Sequence, residues 1–252
     1  MKTLLSSVVC FFITLSPFAS SQQAIEDILS SPMRSESDKK ADLARKPSEF
    51  VEFLDVQPEM TVLDVFSGAG YYTEIVAKIV GPSGHVDAHN NQAYVDFVGA
   101  ETLSQRYQNN RLPNVAKLIQ EANALMLKPN HYDRVLLVLS FHDLFYVDVK
   151  NGWPAIDAEK FMRTIGTALK KDGAIGIIDH LAKESSEIDT AQSLHRIDLA
   201  IIKQKMREWD YELVAEADYL RNQDDPQTTP MWEESVRGKT DRAVLKFRYA
   251  GQ

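Results

Sequence analysis

Apolar strands alternating with amphipathic helices predict an α/β chain. The expected architecture is a Rossmann-like, doubly wound, seven-stranded sheet, mostly parallel, with an antiparallel last strand and an N-terminal helical cap. Three observations carry this. The stretch VLDVFSGAGYYTEIVA, residues 62–77, runs from an apolar strand through Asp64 into a glycine turn and straight into a helix. Five strand-like runs between residues 61 and 178 are separated by helical patterns or turn signals, which favours parallel pairing. The last two runs, 212–220 and 243–249, are joined by a polar, proline-containing loop and read as an antiparallel pair.

Residues 1–21 read as a signal peptide, with Lys2, an apolar run from Val8 to Leu15, then Pro17 and the small residues Ala19, Ser20 and Ser21. The run is too short to span a bilayer comfortably, and cleavage after Ser21 leaves a chain that begins at Gln22 and is exported to the periplasm or beyond. Residues 22–55 form the cap, with one helix over 37–45 and a second over 48–54 that starts after Pro47. Residues 56–252 form the main domain.

Within it, strand one covers 61–66. The helix that follows carries Ile75, Val76, Ile79 and Val80 on one side and so packs on a sheet. Strand two, 85–89, is reached through the turn Gly81-Pro82-Ser83-Gly84; strand three lies near 116–121 and strand four covers 134–139. A helix over 157–169 leads through Asp172-Gly173 into strand five, 174–178. A long amphipathic helix then places Leu194, Ile197, Ile201 and Ile202 toward the sheet.

The 252 residues carry 28 Lys and Arg against 36 Asp and Glu, a net charge of −8. Such a surface repels phosphate backbones, and no basic patch argues for nucleic acid or an anionic membrane as partner. The single cysteine, Cys10, lies in the apolar leader, so the exported chain has neither thiolate chemistry nor a disulfide.

The glycine turn brings the backbone close to a bound molecule, and the helix start behind it favours an electron-rich or negative group. The run Asp64, Val65, Phe66, Ser67, Gly68, Ala69, Gly70 resembles the first motif of class I S-adenosylmethionine (SAM) dependent methyltransferases, with Phe66 where the first glycine stands. The wider chain looks like a family of exported bacterial predicted methyltransferases. That likeness rests on Gly70-Tyr71-Tyr72-Thr73-Glu74, Asp179-His180, Leu194-His195-Arg196-Ile197-Asp198 and Thr240-Asp241-Arg242.

The resemblance implies SAM as cofactor, held by Asp64, Ser67, Gly68, Gly70 and Tyr71, and a small-molecule methyl acceptor. Twenty residues past the turn, where a ribose-binding carboxylate is expected, stands Asn90, and Asn123 with the Ala124 backbone takes the adenine position. After strand four, His142 and Asp143 lie at the ligand-binding end of the sheet, and Asp179-His180 follows strand five on the same edge. Two His-Asp pairs are expected to converge there, with His142, Asp143 and His180 as the catalytic groups that collect a proton from the acceptor. Tyr72, Asp179 and His195 are candidate substrate contacts. His195 also shares the helix stripe of Leu199 and Ile202, the place of a half-buried structural histidine, with Arg196 beside it as a surface charge. Metal-dependent catechol-type methyltransferases hold their ion partly through an acidic residue and its neighbour after strand five, which Asp179-His180 echoes. Their strand-four ligand is out of register here, so no metal is expected. A second reading stays open: an exported ligand-binding protein that keeps the fold without catalysis.

Overall fold

The structure, a computed structural model, describes residues 17–251. Three helices come first among the described residues: α1 (Pro17–Leu29), α2 (Glu36–Arg45) and α3 (Pro47–Leu54). Then follow β1 (Thr61–Val65), α4 (Tyr71–Val80), β2 (His85–Asn90), α5 (Gln92–Val98), α6 (Ala100–Tyr107), β3 (Val115–Ile119) and β4 (Tyr132–Val138). The second half holds α7 (Ala158–Ala168), β5 (Leu169–His180), α8 (Thr190–Leu194), α9 (Leu199–Glu208), β6 (Tyr211–Ala217) and β7 (Arg242–Tyr249).

The seven strands lie in the order β3-β2-β1-β4-β5-β7-β6. β1 to β5 pair in parallel, and β7 runs antiparallel to both β5 and β6. The expected fold class is therefore the observed one, with the antiparallel strand inserted next to β5. Side chains alternate across the pleat, so Leu63, Val65, Val135, Leu137, Ile175 and Ile177 face one core with Phe161, Met162 and Ile165 of α7 and Ile202 and Met206 of α9. Val62, Leu136, Ala174 and Ile178 face the other, with Phe50 and Leu54 of α3 and Ile75 and Val76 of α4.

The helices of 22–55 join that second core through Ile25, Phe50, Val51 and Leu54. α3 lies directly on β5, where Gly176 makes room: a Cβ there would stand 2.9 Å from Cζ of Phe50. α2 begins at Ser35, whose hydroxyl accepts from the amide of Asp38, and carries Glu36 and Asp38 in its first turn. Of the predicted leader, residues 1–16 lie outside the described residues, and α1 runs across the predicted cleavage point at Ser21.

Elements on either side of strand five differ from the sequence reading: Asp172-Gly173, expected as the turn before it, lies inside β5, which begins at Leu169, and the helix after it is broken. The long helix through Leu194 and Ile202 is two helices, α8 and α9, separated by 195–198. His195 turns left-handed (φ 48°), Ile197 makes a parallel bridge to Leu181, and Asp198 restarts the helix by accepting from the amide of Ala200. Arg196, expected on the surface, is fully buried and pairs with Asp225 through two hydrogen bonds of 2.7 and 3.0 Å. A bidentate partner, with the carbonyls of Thr229 and Leu181, satisfies a guanidinium that the apolar pattern alone would have placed outside.

Candidate functional site

Two clusters meet at the carboxyl-terminal edge of the sheet, one on the glycine turn after β1 and one beyond β4 and β5. The turn is wound tightly: Phe66, Gly68 and Gly70 all have positive φ, 50°, 56° and 77°. The amide of Phe66 points at Nδ1 of His89, whose Nε2 donates to the carbonyl of Gln120. Burial pushes the His89 pKa down to about 4, so the ring is neutral and can serve both bonds. The Phe66 ring stacks between Tyr94 and Phe161, at 4.9 and 5.3 Å between centroids. An aromatic side chain thus takes the backbone position that glycine would fill, at the expense of an unusual φ.

Asp64 lies behind the turn rather than on its open side. Its carboxylate accepts the Thr73 hydroxyl at 2.6 Å, which ties the end of β1 to the first turn of α4. Burial lifts its pKa to about 7, with the Thr73 bonds acting in the opposite direction. Asn90 reaches the turn at Gly68: it accepts from the Gly68 amide at 2.9 Å and donates to the Gly68 carbonyl at 3.1 Å. Gly70 faces α6, since a Cβ on it would stand 2.8 Å from the Tyr107 hydroxyl, and Arg106 donates to the carbonyl of Ala69. Arg106 is anchored in turn by Asp38 of α2 and Glu74 of α4.

Tyr71 and Tyr72 turn toward the cap. The Tyr71 hydroxyl donates to Asp42, with the Arg45 guanidinium over its ring, and Tyr72 donates to the Arg45 carbonyl. Asn123 holds the segment before α7, accepting from the amide of Asp157 and donating to the carbonyl of Ala155. The Ala124 amide closes a 3₁₀ turn on Glu121. These two residues brace the rim beyond β3.

A nucleotide-type cofactor fits this turn at one place. Nothing stands within 4 Å of a Cβ built on Gly68, and the neighbouring Ser67 hydroxyl is a buried atom with no hydrogen-bond partner. Ser67, Gly68 and Ala69 are partly exposed, whereas Gly70 is buried. The approach to the backbone is therefore at Ser67 and Gly68, beside Asn90.

The second cluster gathers the predicted imidazoles and carboxylates, with different partners from those expected. β4 and β5 are neighbours, so Asp179 at the end of β5 reaches across to His142: its oxygens accept from Nδ1 and from the backbone amide, each at 2.7 Å. His180 takes Thr240 instead, 2.7 Å from its Nδ1. Asp143 accepts from the Tyr94 hydroxyl and lies 3.3 Å from Nε2 of His142 and 3.5 Å from Nδ1 of His195. The His142 ring is 6.0 Å from that of His180 and 5.2 Å from that of His195. All three imidazoles and both carboxylates thus share one site. The adjacent pair Asp179-His180 does not bond side chain to side chain, because consecutive residues in a strand point to opposite faces.

Burial opposes a charge on His142, yet Asp143 and Asp179 outweigh it and raise its pKa to about 9. Burial also opposes the Asp143 carboxylate, but the charge of His142 and the contacts with His195 and Tyr94 hold it below its usual range. His180 goes the other way: burial and the nearby positive groups His142, Arg242 and Arg196 push its pKa well down, so it is neutral.

Three contributors escaped the sequence reading. Tyr94 joins the clusters, since its ring stacks on Phe66 while its hydroxyl meets Asp143. Arg106 and Tyr107 cover the far side of the turn. Tyr94 sits in the first helix after β2, a position that could have drawn attention; Arg106 shows only as one of many charges on an amphipathic helix.

With this geometry in view, comparison with known proteins gives two results. A sequence-family profile described as Protein-L-isoaspartate(D-aspartate) O-methyltransferase (PCMT) matches residues 27–111, less than half of the chain. Over 93 residues the chain is 29% identical to a protein named protein-L-isoaspartate O-methyltransferase from Methanothrix thermoacetophila, a match covering 37% of this chain and 42% of that relative. The chain thus matches less than half the length of this curated relative. Among solved structures, a SAM-dependent methyltransferase from Aquifex aeolicus superposes with a TM-score of 0.60 at 19% identity, over 90% of this chain and 97% of that one. The [4+2]-cyclase SpnF superposes with a TM-score of 0.59 at 14% identity, over 91% of this chain and 96% of that one. The fold is that of the Rossmann-like methyltransferases, as expected.

Proposed function

We propose that the protein is a SAM-dependent methyltransferase acting on a small acceptor whose oxygen or nitrogen must lose a proton. The observation that carries this is the glycine turn at the end of β1, in a sheet of order β3-β2-β1-β4-β5-β7-β6, with a His-Asp cluster on the same edge. Ser67, Gly68 and Asn90 hold the cofactor, and Asp64 positions the turn from behind through Thr73. When bound, SAM supplies an activated methyl group to an in-line nucleophile. The chain's own part is alignment, exclusion of water and removal of a proton. His180 is the imidazole of the cluster with no carboxylate partner among the described residues: it is neutral, Thr240 engages Nδ1, and Nε2 is the nitrogen that can take the proton, as a weak base because burial and the nearby cations disfavour its charged form.

The relatives are named for a carboxyl acceptor, isoaspartate. A carboxylate is already anionic and needs no base, whereas this site presents a neutral imidazole, His180, which favours a hydroxyl or amine instead. The match to the family profile also ends at residue 111, before β4 and β5, where His142 and His180 lie. Export from the cytoplasm belongs to the same reading and rests on the leader sequence. A second reading, ligand binding without methyl transfer, draws on the bonds from Asn90 to Gly68 and on the cover of Arg106 and Tyr107 over the turn.

Calorimetry with SAM and its demethylated product tests the cofactor, and transfer of labelled methyl to panels of phenols, alcohols, amines and carboxylates tests the reaction. His180→Ala should leave SAM affinity within a few-fold and lower turnover by on the order of a hundredfold. Binding without transfer to any panel would support the second reading. Absence of SAM binding would remove the first.

A further inference from the structure

His142, Asp143 and His195 bring one nitrogen or oxygen each to within 4.8 Å of one another, a feature methyl transfer does not call for. Nε2 of His142 and Nδ1 of His195 approach the same oxygen of Asp143, at 3.3 and 3.5 Å. Donors on one tetrahedral metal ion, each about 2.0–2.1 Å from it, stand about 3.3–3.4 Å apart. The two nitrogen-to-oxygen spacings are thus those of a ligand set, and the two nitrogens lie within 4.8 Å of each other.

The surroundings match what metal-bound histidines and carboxylates require. Nδ1 of His142 donates to Asp179, which turns Nε2 toward Asp143 and makes it the ligating nitrogen. The second oxygen of Asp143 accepts from Tyr94 and is thereby oriented. His195 is held in the left-handed region (φ 48°) between α8 and α9, with its ring against Tyr146 at 4.4 Å and Trp232 at 5.2 Å. Charge points the same way. Asp143 and Asp179 are both buried, and their charged partners among the described residues are the imidazoles, with no lysine or arginine within ion-pair distance. A divalent cation that takes the place of the proton on His142 balances the two carboxylates.

We propose that His142, Asp143 and His195 bind one first-row divalent transition-metal ion of the Zn²⁺ or Fe²⁺ type. Two imidazole nitrogens and one carboxylate suit such ions, whereas Mg²⁺ and Ca²⁺ prefer all-oxygen sites. Three protein ligands leave a coordination position for an oxygen from outside, and His195, with 22% of its side chain exposed, marks the side from which it enters. This departs from the metal-free site expected from the sequence. Asp179 acts behind His142 instead of as a ligand, so the arrangement also differs from the catechol-type pattern. The site shares His142 and Asp143 with the cluster of the methyltransferase reading, but metal binding can be tested without methyl transfer.

The test uses the full chain, stripped with chelator and titrated with ZnCl₂ by calorimetry, then with Co²⁺ followed by visible absorption. One Zn²⁺ per chain should bind with a micromolar or tighter Kd, and Co²⁺ should develop the d–d bands of a low-symmetry nitrogen and oxygen site. His195→Gln, at a partly exposed position, should keep the circular dichroism spectrum and weaken Zn²⁺ by a hundredfold or more. Asp179→Asn keeps all three ligands and should weaken it by roughly 10–100-fold. Failure to bind Zn²⁺ below millimolar concentration, unchanged affinity in folded His195→Gln, or preference for Mg²⁺ over Zn²⁺ would each overturn the proposal.

Discussion

At Phe66, Gly68 and Gly70 three residues in one turn adopt positive φ, but their surroundings differ, and so should the effects of substitution. Asparagine tolerates the left-handed region better than other residues with a Cβ, so it separates strain from space. Gly68→Asn enters open space and should cost less than about 1 kcal/mol of stability while obstructing the cofactor. Gly70→Asn meets the Tyr107 hydroxyl and should cost about 1–3 kcal/mol. Thermal unfolding of both variants, with SAM calorimetry on the first, checks the pair; equal destabilisation would refute the assignment of the open side to Gly68. Asp64 supports a second prediction at this scale. The folded chain keeps its proton up to about pH 7, against 3.8 for an ordinary aspartate. The stabilisation linked to that proton is complete below about pH 4 and is lost as pH rises through about 7, at on the order of 1 kcal/mol per unit. Relative to Asp64→Asn, the wild type should lose urea stability between pH 5 and pH 7.5. Parallel curves for the two proteins would rule out a raised pKa at Asp64.

Between α8 and α9 the limits of sequence reading become physical. Leu194, Ile197, Ile201 and Ile202 fit a helical stripe, and nothing local marks the break, because its cause lies at Asp225, 29 residues beyond Arg196. Strands and turns were legible, since the pleat and the glycine turns write a short-range pattern. The partners of His142 and His180 were not, because they depend on which strands are neighbours: β4 beside β5 supplies Asp179, and β7 beside β5 brings Thr240. The same long-range logic yields a prediction for the segment after β6. Asp225 holds it to the helix break through Arg196 and also accepts the amide of Asp241. Asp225→Ala strands a fully buried guanidinium and should cost about 3–5 kcal/mol, more than Arg196 and Asp225 replaced together by apolar residues of similar size. Chemical denaturation of the single and double variants measures this. A single variant more stable than the double would contradict a buried pair that holds the segment.

Across the whole molecule, the chemistry-bearing side chains collect on one sheet edge, while residues 22–55 complete a core on one face and reach that edge through Asp38, Asp42 and Arg45. The cap is therefore part of the folded unit that any processed form must keep. α1 runs from Pro17 to Leu29 and lends Ile25 to the shared core. Cleavage after Ser21 spares Ile25 and leaves Arg34 its bonds to the Leu29 carbonyl and to Asp42. A chain starting at Gln22 should then unfold at the temperature of the full chain to within a few degrees. One that starts at Glu36 loses both anchors and should unfold several degrees lower. Export adds the cellular half of the prediction. On the proposal that Lys2, the apolar run and the small residues before Gln22 act as a cleavable leader, protein recovered from the native cell should begin near Gln22. N-terminal sequencing decides it, and an intact Met1 on protein from the cytoplasmic fraction would show that this leader is neither cleaved nor used for export.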